Sequence, residues 1–386
     1  MADSGSPTWV GAGGAPLRRR ALLALASGAA LGAPAVRAQQ ARPLRIGVTV
    51  DSTGVEKANG TGLIAGATAC VEALNRAGGI HGAQLELALM DDGFKPEVAK
   101  ANAERFAADP GVLAVLHPLG TQQSAAVCAA ASELAVVGPY SGTVALRKKT
   151  AANTFWVRAS YTQEIERLIR QAASVGQTRI ALVHSLDPFG QALLEAFSAT
   201  MASAKLQPAV VATTPSTVSP EVEPAAKTIA AAAPQAVIVG LAGTTPAFVK
   251  AFRGAGGGSA TYGLSIMAGA VATMGELARG VGFAIVVPPP TATRYDVVRR
   301  YQRDMAAAGQ KTLSLPSMEG YINASVLAEG LRRAGPAPSR ARLIAALESV
   351  QGHDLGGMKL SFGPGNREGS QFVDVAVVGA GGRILT

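Results

Sequence analysis

Cysteine is nearly absent from this 386-residue chain, which has two, Cys70 and Cys128. That excludes a disulfide-built scaffold and leaves room for one bridge at most. Histidine is equally scarce. His81, His117, His184 and His353 fall in unrelated segments, none in a His-Glu-x-x-His or Cys-x-x-Cys cluster, so no metal site is expected. Aromatic residues make up only 5%, and the Lys and Arg behind the formal charge of +9 are scattered. Without a basic stripe, no nucleic-acid partner is expected. Charged residues at 16% against 48% apolar exclude a disordered chain. No Gly-x-Ser-x-Gly elbow with plausible partners occurs, and Asp187, in a strand-to-helix turn, reads as a helix N-cap. The chain is not expected to be an enzyme.

What is present begins with a leader. Arg18-Arg19-Arg20 precede an uncharged run at 21–35, and Val36-Arg37-Ala38 puts small residues at the −3 and −1 positions of a cleavage site. Residues 1–38 are therefore expected to be an export signal peptide, removed to leave Gln39 first and about +6 of charge behind. Roughly fifteen apolar residues are too few to span a bilayer stably. Arg19-Arg20-Ala21-Leu22-Leu23 is also similar to the twin-arginine export motif, and the Sec route stays open beside it. No later segment reads as a membrane anchor, so the mature protein is expected to be soluble in the periplasm.

From residue 44 the pattern becomes regular. An apolar run at 44–50, bounded by Pro43 and Ser52-Thr53-Gly54, has the mark of a buried strand. Leu63, Ala67, Cys70, Val71 and Leu74 then recur at three- and four-residue spacing, one face of a helix. Gly78-Gly79 end it, because glycine enters the left-handed cap region without penalty. A strand at 85–90 completes a right-handed βαβ unit. Helices after Pro96 and at 121–134, with strands at 112–116 and 135–137, continue the alternation and predict an open sheet of order 2-1-3. In that order the first and third helices cross opposite faces, so Cys70 and Cys128 are expected as separate buried thiols. After the extended Phe155-Trp156-Val157-Arg158 the alternation restarts. Strands at 179–184, 208–212, 236–240 and 261–264 alternate with helices at 189–202, 221–232 and 246–253. Pro288-Pro289-Pro290 is a stiff connector. Helices at 295–308, 319–333 and 339–350 follow, then short strands at 358–362, 372–378 and 383–385.

The fold class is α/β: two doubly wound Rossmann-like lobes joined by three hinge crossings, near Arg158, Pro288-Pro289-Pro290 and residues 352–357. Residues 43–158 with 289–352 form lobe 1, and 159–288 with 353–386 form lobe 2. Gly60-Thr61-Gly62 with Gly66, and Asp91-Asp92 beyond, imitate a dinucleotide-binding pattern, which keeps an exported nucleotide-cofactor oxidoreductase as an alternative. Nine residues separate Val50 from Gly60, however, where that fingerprint puts the first glycine directly after the strand. A flexible loop entering a helix is the expectation. In open α/β sheets, ligands bind beyond the carboxyl ends of strands at the switch in strand order. The loops at 116–121 and 138–143 stand there, offering Leu119, Gly120, Thr121, Tyr140, Ser141, Gly142 and Thr143. Their hydroxyls and free backbone N–H groups suit a carboxylate.

Asn75-Arg76-Ala77-Gly78-Gly79-Ile80-His81-Gly82, with Asp91-Asp92 nine residues on, resembles the leucine/isoleucine/valine-binding family of periplasmic solute receptors. Thr121-Gln122 and Gly138-Pro139-Tyr140-Ser141-Gly142 line up with segments that hold the amino acid's carboxylate in those receptors. Val157-Arg158-Ala159-Ser160-Tyr161 resembles their first crossing, and Phe189-Gly190 falls where an aromatic often covers the ligand. Glu319-Gly320-Tyr321, Asp354-Leu355-Gly356-Gly357 and Gly369-Ser370 recur in a large proteobacterial branch, so the resemblance runs from residue 44 to the C-terminus. It implies the type I periplasmic binding protein fold and an exported monomeric receptor, without cofactor, that captures a small organic molecule between its lobes. The partner implied is the membrane permease of an ABC importer; a sensory receptor domain without transport is the alternative. The resemblance extends the ligand-binding candidates to Asn59, Tyr161, Phe189 and Ser265. Receptors for α-amino acids usually carry a glutamate where Ser265 stands, and no acid lies nearer along the following chain than Glu276. A buried ammonium without a counter-charge is costly. An organic acid with an apolar or aromatic body is therefore expected in preference to an unmodified α-amino acid.

Overall fold

Apolar strands alternating with amphipathic helices build two mainly parallel sheets. The computed structural model describes residues 42–149, 153–271 and 273–386; the expected signal peptide lies outside the described residues. In the first sheet β1 (Leu44–Val50), α1 (Lys57–Arg76), β2 (Leu85–Asp91), α2 (Pro96–Ala108) and β3 (Val112–Leu116) follow one another. Then come α3 (Thr121–Ala130), β4 (Ala135–Val137), α4 (Val144–Lys149) and β5 (Thr154–Phe155). The strands lie in the order β2-β1-β3-β4-β5, parallel throughout, with Ile46 beside Leu87 on one side and Val48 beside Leu116 on the other. β3 and β4 are buried at every residue, the continuous apolar reading that a sheet covered on both faces demands.

The second series runs α5 (Tyr161–Ser174), β6 (Ile180–Ser185), α6 (Pro188–Ser203), β7 (Val211–Thr214), α7 (Glu223–Ala232) and β8 (Ala236–Gly240). It continues with α8 (Thr245–Gly254), β9 (Ala260–Gly263), the short α9 (Ala268–Val271) and β10 (Gly282–Ile285). The strand expected at 208–212 begins three residues later, because Pro208 has no N–H to donate and pairing with β6 starts where Leu182 meets Val211. β10 has four residues and no polar alternation, so nothing in the sequence announced it. Next come α10 (Asp296–Ala307), α11 (Leu315–Ala334), α12 (Arg340–Glu348), the hairpin β11 (His353–Asp354) with β12 (Lys359–Leu360), then β13 (Asp374–Val378) and β14 (Ile384–Leu385). The second sheet has the order β14-β13-β10-β9-β8-β6-β7, parallel from β7 to β10 and antiparallel where β13 and β14 are added.

The glycines at 60, 62 and 66 lie inside α1, not in a loop before it. α11 explains Gly62 and Gly66. A Cβ on Gly66 would enter the Ser317 carbonyl group, 2.7 Å from its carbon, and one on Gly320 would come within 2.8 Å of the Leu63 carbonyl carbon. The two helices therefore cross backbone against backbone. Each interior glycine costs about 1 kcal/mol of helix propensity, which the close crossing offsets. Cys70 and Cys128 are both free and buried, in two separate apolar clusters. Among the described residues no helix is long and apolar enough to cross a membrane.

Candidate functional site

The carboxyl ends of the strands in both sheets converge on one cavity of about 210 Å³. The loop after β1 brings Glu56, and the loop after β2 brings Phe94 and Pro96. The turn from β3 into α3 supplies Leu119, Gly120, Thr121, Gln122 and Gln123, and the loop after β4 supplies Tyr140. From the other side come Tyr161 at the start of α5, Asp187 and Phe189 at the start of α6, and Ser216, Thr217 and Val218 beyond β7. Ala242 and Ile266 close the wall. Six of the residues singled out in the sequence thus share this cavity: Leu119, Gly120, Thr121, Tyr140, Tyr161 and Phe189.

The other five stand behind the wall. Ser141 and Thr143 are buried with their hydroxyls 3.0 Å from the Thr121 Oγ1. They orient Thr121. Gly142 lets the first crossing approach: a Cβ there would lie 2.6 Å from the Tyr161 nitrogen, and its carbonyl accepts the Tyr161 N–H at 2.8 Å. Asn59 donates to Glu56 (2.7 Å) and to the Ile266 carbonyl (2.9 Å), and its own oxygen accepts from the Gly269 N–H and the Tyr140 hydroxyl. Ser265 lies at the end of β9, but both its hydroxyl and its N–H go to Glu164, at 2.9 and 2.7 Å. An acid therefore does stand beside Ser265, contributed by α5 rather than by its own strand.

That serine belongs to a buried ionic cluster. The Arg158 guanidinium donates to Ser265 Oγ and lies 3.8 Å from Glu164 and 3.6 Å from Glu319 of α11. It also covers the Tyr140 ring at 4.3 Å from its centroid. Burial pushes the Glu319 carboxyl up to about 7, and the nearby guanidinium pulls only part of that back. Glu164 is raised for the same first reason. One cation between two carboxylates links the first crossing to a helix on each side.

The cavity wall itself is apolar and aromatic with acids at its edges. Tyr161 and Phe189 meet edge to face at 5.4 Å. Asp187 caps α6 as expected, accepting from Gly190 N–H (3.1 Å), and it also takes the Ser185 hydroxyl (2.9 Å) and the Thr217 N–H (2.8 Å). Glu56 is the acidic cavity residue that the sequence pattern missed, along with Phe94, Ser216, Thr217 and Val218. It is 4% exposed and accepts from Asn59 on one oxygen and from the Gly243 N–H on the other. Burial lifts its carboxyl to about 7. Its position at the carboxyl end of β1 was the available signal, since the same rule selected the β3 and β4 loops. Asp91 and Asp92 serve the loops: Asp91 accepts from Ser52 and Thr53, and Asp92 from Thr49 and Phe94. Neither lines the cavity. Among the described residues no cluster of His, Cys, Asp or Glu could hold a metal ion.

The sequence profile of the family described as periplasmic binding protein matches residues 43–383. No curated protein matches the chain. Among solved structures, a substrate-binding periplasmic protein from Ralstonia solanacearum is 31% identical, with 89% of this chain and 99% of that one covered at a TM-score of 0.81. The branched-chain amino acid transporter substrate-binding protein of Streptococcus pneumoniae, solved with isoleucine, is 16% identical with 89% and 98% covered, TM-score 0.77. A solute-binding protein of an ABC transporter from R. palustris, solved with benzoate, is also 16% identical, with 89% and 95% covered and a TM-score of 0.78. These last two share the fold alone. Sheet order, cleft and profile agree, and the chain belongs to the periplasmic binding protein family, with the two-lobed type I fold.

Proposed function

We propose that the chain is an exported receptor that captures a small organic molecule, amino acid-like or an organic acid, and delivers it to the permease of an ABC importer. The observation that carries this reading is one cavity built jointly by the strand ends of both sheets. A ligand held there touches both lobes and favours the closed form through its contacts with each. Thr121, backed by Ser141 and Thr143, and the start of α3 offer donors for a carboxylate. Phe94, Tyr140, Tyr161 and Phe189 offer flat apolar surface for the body of the molecule. The cavity has room for a ligand of that size and too little for a dinucleotide, which weighs against the oxidoreductase alternative.

The lobes meet near Arg158 and at Pro288-Pro289-Pro290. Residues 353–368 hydrogen-bond to groups around α10, α12 and β5, with Val297 N–H on Gly356 oxygen, Arg367 on Glu348 and Trp156 N–H on Arg367 oxygen. Those bonds favour a third crossing near Gly369 rather than at 352–357. A thermal-shift screen of small carboxylates, amino acids and amines tests the reading. A ligand that binds only the folded state raises the melting temperature in proportion to its saturation. A screen in which no small molecule does so contradicts it.

A further inference from the structure

Resting on the receptor reading, we infer that Glu56 selects the charge of the ligand, receiving a protonated nitrogen carried by a small apolar molecule and turning away simple organic anions. Glu56 is held from both sides. Asn59 of its own helix donates to Oε2 at 2.7 Å, and the Gly243 N–H from the loop after β8 donates to Oε1. Each oxygen keeps a second lone pair, and the residue lines the cavity. Both of these donors are neutral.

The surrounding charges deepen the imbalance. On its own loop Asp51 is fully buried and accepts the Glu56 N–H at 2.7 Å. Across the cavity stand Asp187 and the uncharged Tyr140 and Tyr161. The segment at 241–244, which bonds Glu56 through Gly243, and the one at 265–269, which bonds Asn59, contribute no ionisable side chain. No Arg, Lys or His is among the cavity-lining residues, and the Arg158 guanidinium lies behind the Tyr140 ring. A buried carboxylate without a cation is costly, so it either holds a proton or waits for a cation from outside. Burial lifts Glu56 to about 7, which is the first of those states ready to pass into the second. A ligand that brought only a carboxylate would add negative charge to a wall with no positive side chain.

The sign of the pH dependence separates the two ligand classes. A protonated nitrogen needs Glu56 ionised, so its binding releases a proton below about pH 7 and its affinity rises there by up to about tenfold per pH unit. A bare carboxylate prefers Glu56 neutral, so its affinity falls as pH rises through the same value. Calorimetry from about pH 5.5 to about 8.5 would compare three matched sets: leucine and phenylalanine; isopentylamine and phenethylamine; 4-methylpentanoate and 3-phenylpropionate. In wild type, the nitrogen-bearing members bind more tightly than the matched acids, with proton release. In Glu56→Gln, whose oxygen can still accept the Gly243 N–H, they weaken about ten- to a hundredfold and lose the pH slope. The wild-type slope is read without any variant, so misfolding of Glu56→Gln cannot obscure the result. Acids that bind as tightly as their amino partners, or affinities that fall with rising pH, overturn the inference and leave the receptor reading standing. Silence from all three sets and from the wider screen overturns both.

Discussion

Arg158→Met removes the one cation between Glu164 and Glu319, and its cost can be worked from the cluster's geometry. All three side chains are essentially without solvent contact, and the guanidinium lies 3.8 and 3.6 Å from the two carboxylates. Taking away one partner of a buried pair leaves uncompensated charge and costs about 3–5 kcal/mol. The loss depends on pH. Burial already holds Glu319 near 7 and Glu164 above its ordinary value, and both rise further without the guanidinium. A carboxyl with a raised folded-state pKa favours the folded state when protonated, and that contribution is lost as pH rises through the folded value. The variant is therefore closest to wild type at about pH 5 and furthest from it at about pH 8. Melting curves across that range check it, at roughly 2 °C per kcal/mol for a chain of this size. Adding Glu164→Gln and Glu319→Gln to Arg158→Met recovers most of the loss, because no buried charge is then left unpaired. An Arg158→Met protein that melts with wild type at every pH, or a gap that narrows as pH rises, refutes the reasoning.

Thr121→Val weakens ligand binding about ten- to a hundredfold, the worth of a hydrogen bond to a charged group, read by calorimetry. Ser141→Ala, whose hydroxyl reaches Thr121 and does not line the cavity, costs only about fivefold. Phe189→Ala removes the ring that meets Tyr161 and lowers affinity about tenfold or more through lost apolar contact. Gly66→Ala drives a methyl into the Ser317 carbonyl and to 2.8 Å from the Tyr321 nitrogen. It destabilises by about 2 kcal/mol net, an overpacking cost of about 3 less about 1 of helix propensity. Gly254→Ala, with nothing within 4 Å, is neutral or slightly stabilising in the same melting assay.

The sheets were legible because their strands are local apolar runs with clear stops. β1, β3, β4 and β8 begin and end where the sequence pattern puts them, and β1, β3 and β4 are each flanked by Gly, Pro or Asp. β10 was not, since four residues without alternation carry no periodic signal. The glycines of α1 were visible but misread, because the reason for Gly62 and Gly66 lies in α11, more than two hundred residues away. The cavity was half legible. Loops at strand ends follow from topology, which found Thr121 and Tyr140, while the depth of Glu56 depends on Gly243, 187 residues on. Ser216, Thr217 and Val218 were not found either, although they too follow a strand end, that of β7 at Thr214. Ser265 stands at a strand end as expected, yet its hydroxyl is occupied by Arg158 and Glu164, partners set by the meeting of three distant segments.

The central claim is that a small molecule bound between the two lobes draws them together. Small-angle scattering, with and without a saturating ligand from the thermal-shift screen, measures this directly. A ligand that contacts both lobes favours the closed form, and the radius of gyration falls. A scattering profile unchanged at saturation would contradict the account, because a cavity that needs no closure to hold its ligand is not the cleft of a hinged receptor.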